Sequence, residues 1–156
     1  MTTYNGMMDG AGMRFAIACS RFNDFVVERL ESGARDALVR HGVSVDAIDT
    51  VWVPGAWELP IAVKTLAETG RYDAIVALGA VIRGSTYHFE VVAGQSGSGL
   101  ANLSTQTGVV ITNGVLTVES IEQAIERAGS KAGNKGAEAA LAAIEMVDVL
   151  RRIEKG

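Results

Sequence analysis

The 156-residue sequence has few of the residues that metal and disulfide sites require. A single cysteine, Cys19, excludes an internal disulfide and a thiolate metal cluster. The two histidines, His41 and His88, lie far apart, and neither an HExxH nor a CxxC spacing occurs, so we expect no metal site. The formal net charge of −4 gives no electrostatic support for nucleic-acid binding. An anion that binds this chain must therefore be held by a local site.

Long apolar runs are also absent. No stretch approaches the roughly 18 residues that a membrane span needs, and the N-terminus lacks the basic region and apolar run of a signal peptide. Hydrophobic residues nevertheless make up 48% of the chain, which is enough to fill the core of one compact domain. We therefore expect a cytoplasmic protein without a membrane partner. Its single domain (1–156) would comprise a short Gly- and Met-rich arm (1–12) and an α/β sandwich (13–156).

Short apolar runs alternate with segments of helical periodicity along the chain. The apolar runs predict strands at residues 14–19, 50–53, 74–82 and 109–112. The periodic segments predict a helix that begins at Asn23 or Asp24 and ends before Gly42, with further helices at 58–69, 89–103, 119–127 and 135–153. This alternation predicts an α/β fold: a single flavodoxin-like domain whose four-stranded parallel sheet is flanked by helices on both faces.

Each predicted strand is followed by a segment rich in polar, aromatic or glycine residues. These segments are SRFN (20–23), PGAWELP (54–60), RGSTYH (83–88) and NGVLT (113–117). The carboxyl ends of parallel strands meet at one edge of a sheet, and ligands bind there. We therefore expect the four segments to form one site.

Phe22 and Glu58 are the first candidates at this edge. Phe22 in an exposed loop could stack on a flat heterocycle, although a loop aromatic can also pack back on the core. Glu58 lies beside Pro60 at a predicted helix start, where its carboxylate could bind ligand hydroxyls or simply complement the helix dipole. The sequence leaves both alternatives open.

The segment Gly84-Ser85-Thr86 precedes the next predicted helix. It can offer backbone N–H groups and two hydroxyls to a phosphate, or it can form an ordinary N-cap. His88 follows on the first turn of that helix, and histidine is the side chain best suited to proton transfer near neutral pH. A lone histidine is more often structural, but the neighbours of His88 favour a site.

Arg127 and Lys135 flank a glycine-rich bend. Such a basic pair suits anion binding, and the Arg127 guanidinium could bind an anion with two hydrogen bonds. The same residues also fit helix capping, with Arg127 and Gly129 at the end of one helix and Asn134 at the start of the next. Spacing alone does not decide between these two roles.

Taken together, these segments resemble the lumazine synthase family, and the similarity extends from Tyr4 to Leu150. The matching motifs are SRFN (20–23), VPGAWELP (53–60), ALGAVIRGSTYHFE (77–90), GVLT (114–117) and QAIERAGSKAGNKGAEAA (123–140). The resemblance implies condensation of 5-amino-6-(D-ribitylamino)uracil with 3,4-dihydroxy-2-butanone 4-phosphate to 6,7-dimethyl-8-ribityllumazine, the precursor of riboflavin. That chemistry needs proton transfers but no metal, redox centre or other cofactor.

The resemblance also implies a role for each matching residue. The pyrimidine substrate would be held by Phe22, Ala56, Trp57, Glu58, Ala80, Val81, Ile82 and Asn113. Within this set, Phe22 would stack on the ring and Glu58 would bind the ribityl hydroxyls. The phosphate would be bound by Ser85, Thr86, Arg127 and Lys135, and the catalytic residue His88 would move protons.

Members of the family assemble into pentamers with active sites between neighbouring subunits. The resemblance therefore implies a homo-oligomer in which one subunit contributes Phe22 and the phosphate-binding residues and the next subunit contributes Asn113. The short bend GSKAGNKG (129–136) resembles that of members that form sixty-subunit icosahedral shells, and a segment like 4–8 can add a strand to a neighbour's sheet in such members. Riboflavin synthase is a further partner that a shell could enclose.

Three features depart from the family pattern. Trp57 is bulky for its loop, although the contact that the family makes there is largely through backbone. Asn113 stands where many members carry Phe, so a polar contact replaces a ring contact. The run 94–99 contains three glycines, and at about 1 kcal/mol per Gly relative to Ala it should weaken the helix after His88.

Two other functions fit the same fold, because fold alone does not fix function. One is a catalytically silent relative that serves as a shell or scaffold, and the other is a flavin- or nucleotide-binding module. The presence of every residue type that the condensation needs favours the enzyme.

Overall fold

A computed structural model of the chain describes all of residues 1–156. The strands of the main sheet are β1 Phe15–Ser20, β2 Ile48–Val53, β3 Ala74–Ile82 and β4 Val110–Val118. The helices are α1 Asp24–Arg40, α2 Leu59–Glu68, α3 His88–Thr107, α4 Ile121–Glu126 and α5 Lys135–Lys155, with 3-10 turns at Val45–Ala47 and Ala56–Glu58. An antiparallel pair, β5 Ala128–Ser130 and β6 Gly133–Asn134, precedes α5.

Both faces of the main sheet are buried. Its four parallel strands lie in the order β2-β1-β3-β4. Along β1, Phe15 and Ile17 pack with α1 and α5 on one face, whereas Ala16 and Ala18 pack with α2 and α3 on the other. Successive side chains of a strand point to opposite faces, so a strand covered on both sides reads as a continuous apolar run. The predicted α/β fold with a four-stranded parallel sheet and helices on both faces is confirmed. None of the helices is both long and apolar enough to cross a membrane.

The fourth strand is much longer than its predicted range of 109–112. Residues 113–117, which were expected to form a loop, lie inside β4 and pair with β3. Asn and Gly are depleted in strands, so Asn113-Gly114 is typical of a turn. Pairing with β3 overrides that preference here, and little room is left at Gly114, where a Cβ would lie 2.5 Å from Leu78 Cδ2. The expectation of a fourth loop at the carboxyl edge was therefore wrong.

The third helix continues without interruption through the glycine-rich run 94–99 and ends at Thr107, past the predicted end at 103. One of the three glycines in this run, Gly99, has a packing role. A Cβ on Gly99 would lie 2.8 Å from Pro60 Cγ, so this glycine allows α3 to approach the start of α2 closely. Gly108 then ends the helix in the left-handed conformation with φ 72°.

The glycine-rich bend carries the helix caps that the sequence allowed. Asn134 Oδ1 accepts a hydrogen bond from the Ala137 N–H at 3.0 Å and so caps α5. Arg127 is the residue directly after α4, and its Nη1 donates to the Gln123 carbonyl at 3.0 Å. Gly129 has φ 107°, which favours glycine.

The N-terminal arm has neither helix nor strand and lies against α5 of the same chain. The Met7 N–H donates to Asp148 Oδ2 at 2.8 Å, and Arg152 Nε donates to the same oxygen at 2.6 Å. The Arg152 bond, and secondarily the Met7 bond, lower the pKa of Asp148 below its ordinary value. Addition of the arm to a neighbour's sheet concerns a second subunit and stays a prediction.

Candidate active site

An open cavity of about 700 Å³ lies at the carboxyl ends of β1, β2 and β3. We call it the main cavity. Its lining residues are Phe22, Asn23, Pro54, Gly55, Ala56, Trp57, Glu58, Ala80, Val81, Ile82, Gly84, Thr86, His88, Phe89, Val91 and Val92. The main cavity thus brings together residues from three of the four segments that the sequence singled out.

Phe22 lies on the β1–α1 loop with 73% of its surface exposed. Its N–H donates to the Pro54 carbonyl at 3.0 Å, and the preceding Arg21 N–H donates to Val53 O at 2.7 Å. These bonds continue the pairing of β1 with β2 beyond the strand ends and fix the loop beside the next one. The ring is available for stacking and is not packed into the core.

The β2–α2 loop contributes a buried Ala56, an exposed Trp57 and a half-buried Glu58. Glu58 directly precedes α2, but its carboxylate makes no capping hydrogen bond to the helix. No hydrogen bond to the helix therefore supports the dipole interpretation. The Glu58 side chain lines the main cavity, and its carboxylate has no intramolecular hydrogen-bond partner. An unpaired carboxylate of this kind can accept hydrogen bonds from ligand hydroxyls.

Asn23 is a residue of the main cavity that sequence reasoning treated only as a helix cap. Its φ is 63°, and its Nδ2 donates to the Ala80 carbonyl at 2.9 Å. One backbone acceptor among Ala80, Val81 and Ile82 is thus already engaged by a side chain. The only sequence signal was the tolerance of asparagine for positive φ, which identifies no partner.

The turn from β3 to α3 consists of exposed residues, and α3 begins at His88. Tyr87 is the N-cap residue, and no side chain caps the helix. The hydroxyls of Ser85 and Thr86 therefore do not form the ordinary N-cap that the sequence allowed. Thr86 and His88 line the main cavity, and Ser85 lies between two lining residues.

The remaining predicted residues lie elsewhere. Asn113 and Lys135 line a second cavity of about 380 Å³, together with Thr112, Glu138, Ala139 and Ala142. Arg127 lines neither cavity and is held at the end of α4, where its Nη1 lies 3.7 Å from Glu126 Oε2. Asn113 pairs with Ala77, three residues below Ala80, which is about 10 Å along the strand.

No lysine or arginine lines the main cavity. The only thiol, Cys19, is buried on β1. Burial, with a smaller contribution from the nearby Glu31 carboxylate, raises its pKa to about 12. Cys19 is thus protonated at neutral pH and is no candidate for a thiolate nucleophile. The chemically active groups of the main cavity are a carboxylate, a hydroxyl and an imidazole.

A parallel sheet with an aromatic ring, a carboxylate and an imidazole around a cavity at its carboxyl edge defines a flavodoxin-like α/β subunit with a small-molecule site. Residues 12–151 match the sequence profile of 6,7-dimethyl-8-ribityllumazine synthase. The chain is also 59% identical over 155 residues to the protein named 6,7-dimethyl-8-ribityllumazine synthase from Edwardsiella ictaluri (strain 93-146), with 99% of each chain covered. The chain belongs to the lumazine synthase family, and the resemblance read from the motifs is confirmed.

Among solved structures, a de novo designed Rossmann fold protein aligns with a TM-score of 0.42. The two chains are 13% identical, and the alignment covers 73% of this chain and 92% of the designed one. That likeness is too distant to bear on function.

Proposed function

We propose that this chain condenses 5-amino-6-(D-ribitylamino)uracil with 3,4-dihydroxy-2-butanone 4-phosphate to give 6,7-dimethyl-8-ribityllumazine, with release of phosphate and water. One observation carries the proposal beyond family membership. The main cavity combines an exposed ring, an unpaired carboxylate, a free hydroxyl and an imidazole around a largely apolar wall. These groups suit a polyhydroxylated heterocycle held beside a ketone, and only the charge that a phosphate needs is missing.

The pyrimidine substrate binds between the β1–α1 and β2–α2 loops. Phe22 stacks on its ring, because the side chain is exposed and its backbone is fixed by two loop hydrogen bonds. Glu58 accepts hydrogen bonds from the ribityl hydroxyls. The backbone groups of the segments Ala56-Trp57 and Ala80-Val81-Ile82 contact the heterocycle from the ends of β2 and β3.

The phosphate binds at the turn before α3. Ser85 and Thr86 supply hydroxyls without intramolecular partners, and the 20-residue helix α3 presents its free N–H groups nearby. A phosphate dianion also needs positive charge, which the main cavity lacks. We assign that charge to Arg127 and Lys135, which lie on other surfaces of the chain and reach the phosphate from an adjacent subunit.

His88 carries the proton transfers. Imine formation between the ring amine and the ketone releases one water, loss of a carbon-bound proton accompanies departure of phosphate, and ring closure releases a second water. Each step moves a proton near the phosphate-bearing carbon, and His88 lies in the same cavity as Thr86. Holding the two substrates together supplies much of the remaining acceleration.

The same separation of groups supports the proposal of an oligomer. A pentamer in which Asn113, Arg127 and Lys135 of one subunit face the main cavity of the next would complete each site. The short bend closed by β5 and β6 supports the further proposal of a sixty-subunit shell. Light scattering or electron microscopy distinguishes the pentamer from the shell.

Association with riboflavin synthase rests on the family resemblance alone. Co-sedimentation of riboflavin synthase activity with the particle tests it.

Incubation of the purified protein with both substrates tests the function directly. Lumazine absorbance and fluorescence are expected to appear, with stoichiometric release of phosphate. A silent scaffold would give no product, and a flavin-binding module would instead show the visible spectrum of a bound flavin.

Replacement of the catalytic histidine refines that experiment. His88→Ala should retain most pyrimidine binding but lower kcat by about 100- to 10,000-fold, the range for loss of a general acid–base group. His41→Ala is a matched control, because His41 follows α1 at the opposite edge of the sheet. Unchanged turnover in His88→Ala would remove His88 from the mechanism.

A further inference from the structure

Arg83 connects three elements at the base of the β3–α3 turn. Its Nη1 donates to Glu90 Oε1 on α3, and its Nε donates at 2.6 Å to Glu119 Oε2, directly after β4. Its guanidinium carbon lies 4.3 Å from the centroid of the Phe89 ring. Its backbone N–H donates to the Val118 carbonyl at 2.9 Å. We call Arg83, Phe89, Glu90 and Glu119 the Arg83 cluster.

The cluster closes the turn that carries the proposed phosphate and proton-transfer groups. Ser85, Thr86 and His88 all lie between the paired residues Arg83 and Glu90. The side chains of this turn are exposed and form no hydrogen bonds that would fix it. The position of the turn therefore depends on its two ends, and the Arg83 cluster joins both ends to the end of β4.

The Arg83 charge is already compensated. Hydrogen bonds to Glu90, and next to Glu119, raise the pKa of Arg83, and the Arg83 bond holds the pKa of Glu90 below its ordinary value. Arg83 and Glu90 thus stay ionised at neutral pH, and the guanidinium donates to two glutamate side chains. An isolated exposed ion pair contributes little, but a guanidinium already ordered by stacking on Phe89 loses less entropy on making each further bond. A phosphate would have to displace both carboxylates to bind Arg83.

We propose that Arg83 is a positioning residue for the condensation. It holds the turn with Ser85, Thr86 and His88 in place relative to β3, β4 and the body of α3, and it does not itself bind phosphate. The inference rests on the proposed function, because the turn matters only if it binds the phosphorylated substrate and moves protons. The Phe22 and Glu58 loops are fixed by other contacts, so pyrimidine binding should not depend on Arg83.

Because Arg83 and its two glutamate partners carry opposite charges, neutralising one or the other separates positioning from phosphate binding. If Arg83 were a phosphate ligand, then Glu90→Gln and Glu119→Gln would free its charge and tighten the binding of inorganic phosphate. If Arg83 positions the turn, then both glutamate variants should change activity in the same direction as Arg83→Gln. Arg83→Lys keeps the charge but loses the fork and the planar stack, so it should rescue only partly.

The experiment measures kcat, KM for each substrate, and inhibition by inorganic phosphate in these four variants. Arg83→Gln should lower kcat about 10- to 100-fold, as small misplacements of reacting groups do, with an unchanged KM for the pyrimidine. Glu119→Gln removes only the charged partner at the end of β4, so it replaces Arg83→Gln as the test variant if Arg83→Gln fails to fold. Arg40→Gln is the matched control, because Arg40 pairs with Asp36 at the far end of α1.

The outcomes distinguish this inference from the proposed function. Wild-type protein that forms no lumazine would overturn the function, and the inference with it. Active wild-type protein with tighter phosphate binding in Glu90→Gln or Glu119→Gln would overturn the inference alone. So would a loss of thermal stability in Arg83→Gln with kcat and both KM values unchanged, since that pattern marks a purely structural role.

Discussion

Asn23 is the only residue other than glycine with a positive φ, and it lies in the main cavity next to Phe22. The left-handed conformation costs most L-residues about 1 to 2 kcal/mol, and asparagine tolerates it better than most. Its side chain donates to the Ala80 carbonyl and so joins the β1–α1 loop to the end of β3. One residue therefore ties the loop that carries Phe22 to the end of the neighbouring strand β3.

Two substitutions separate these contributions. Asn23→Gly keeps the backbone conformation and removes the hydrogen bond, whereas Asn23→Ala loses both. We expect both variants to raise KM for the pyrimidine, because the loop that carries Phe22 loses its bond to the end of β3, and we expect Asn23→Ala to be less stable by about 1 kcal/mol. Steady-state kinetics and thermal unfolding measure the two effects. A glycine variant with wild-type KM would show that the bond to Ala80 does not position Phe22.

At the scale of elements, α1 and α5 meet in a backbone contact that only glycine allows. Gly136 lies in the first turn of α5, and a Cβ there would overlap the Leu30 carbonyl of α1. Asn134, which caps α5, also donates from Nδ2 to the Arg29 carbonyl at 3.1 Å. This crossing fixes the start of α5, where Lys135 lies beside the second cavity.

Gly136→Ala should therefore destabilise the protein although alanine is the better helix former. Alanine gains about 1 kcal/mol of helix propensity, but forcing a methyl group against a backbone carbonyl costs about 1 to 3 kcal/mol or more. Gly94→Ala is the matched control, because nothing lies within 4 Å of a Cβ at that position in α3. Denaturant unfolding should show a lower free energy of unfolding for Gly136→Ala and a higher one for Gly94→Ala. A gain in both would mean that α5 shifts freely against α1.

The sequence predicted elements well where a local pattern matched the packing. The apolar run of β3 gave its bounds correctly, since a strand buried on both faces has a continuous apolar sequence. The sequence pattern failed for β4 because Asn113-Gly114 has the composition of a turn, while the packing against β3 that leaves little room at Gly114 is distant in sequence. Asn23 and Arg83 escaped notice as positioning residues for the same reason: their partners Ala80 and Glu119 lie 57 and 36 positions away. The rule that ligands bind at the carboxyl ends of parallel strands correctly grouped Phe22, Glu58 and His88, because it depends on topology alone.

At the scale of the whole molecule, one chain holds two incomplete halves of the proposed site. The main cavity has the ring, carboxylate, hydroxyl and imidazole but no cation, while Lys135 lies beside Asn113 at the second cavity. A phosphate dianion without a cationic partner is poorly compensated, so a single chain should bind the phosphorylated substrate weakly. A ring in which each subunit offers its second cavity to the next would supply the missing charge to every site.

Mixed assembly of two inactive variants tests this division. His88→Ala damages the main cavity and Lys135→Ala damages the second, so each variant alone should have little activity. When equal amounts are dissociated and reassembled together, a site is intact wherever the main cavity of a Lys135→Ala subunit faces the second cavity of a His88→Ala subunit. Random mixing in a cyclic ring makes this about one quarter of all sites, so about a quarter of wild-type activity should return. Each variant reassembled with itself is the control. If both residues served the same chain, every site would carry one defect and mixing would restore nothing.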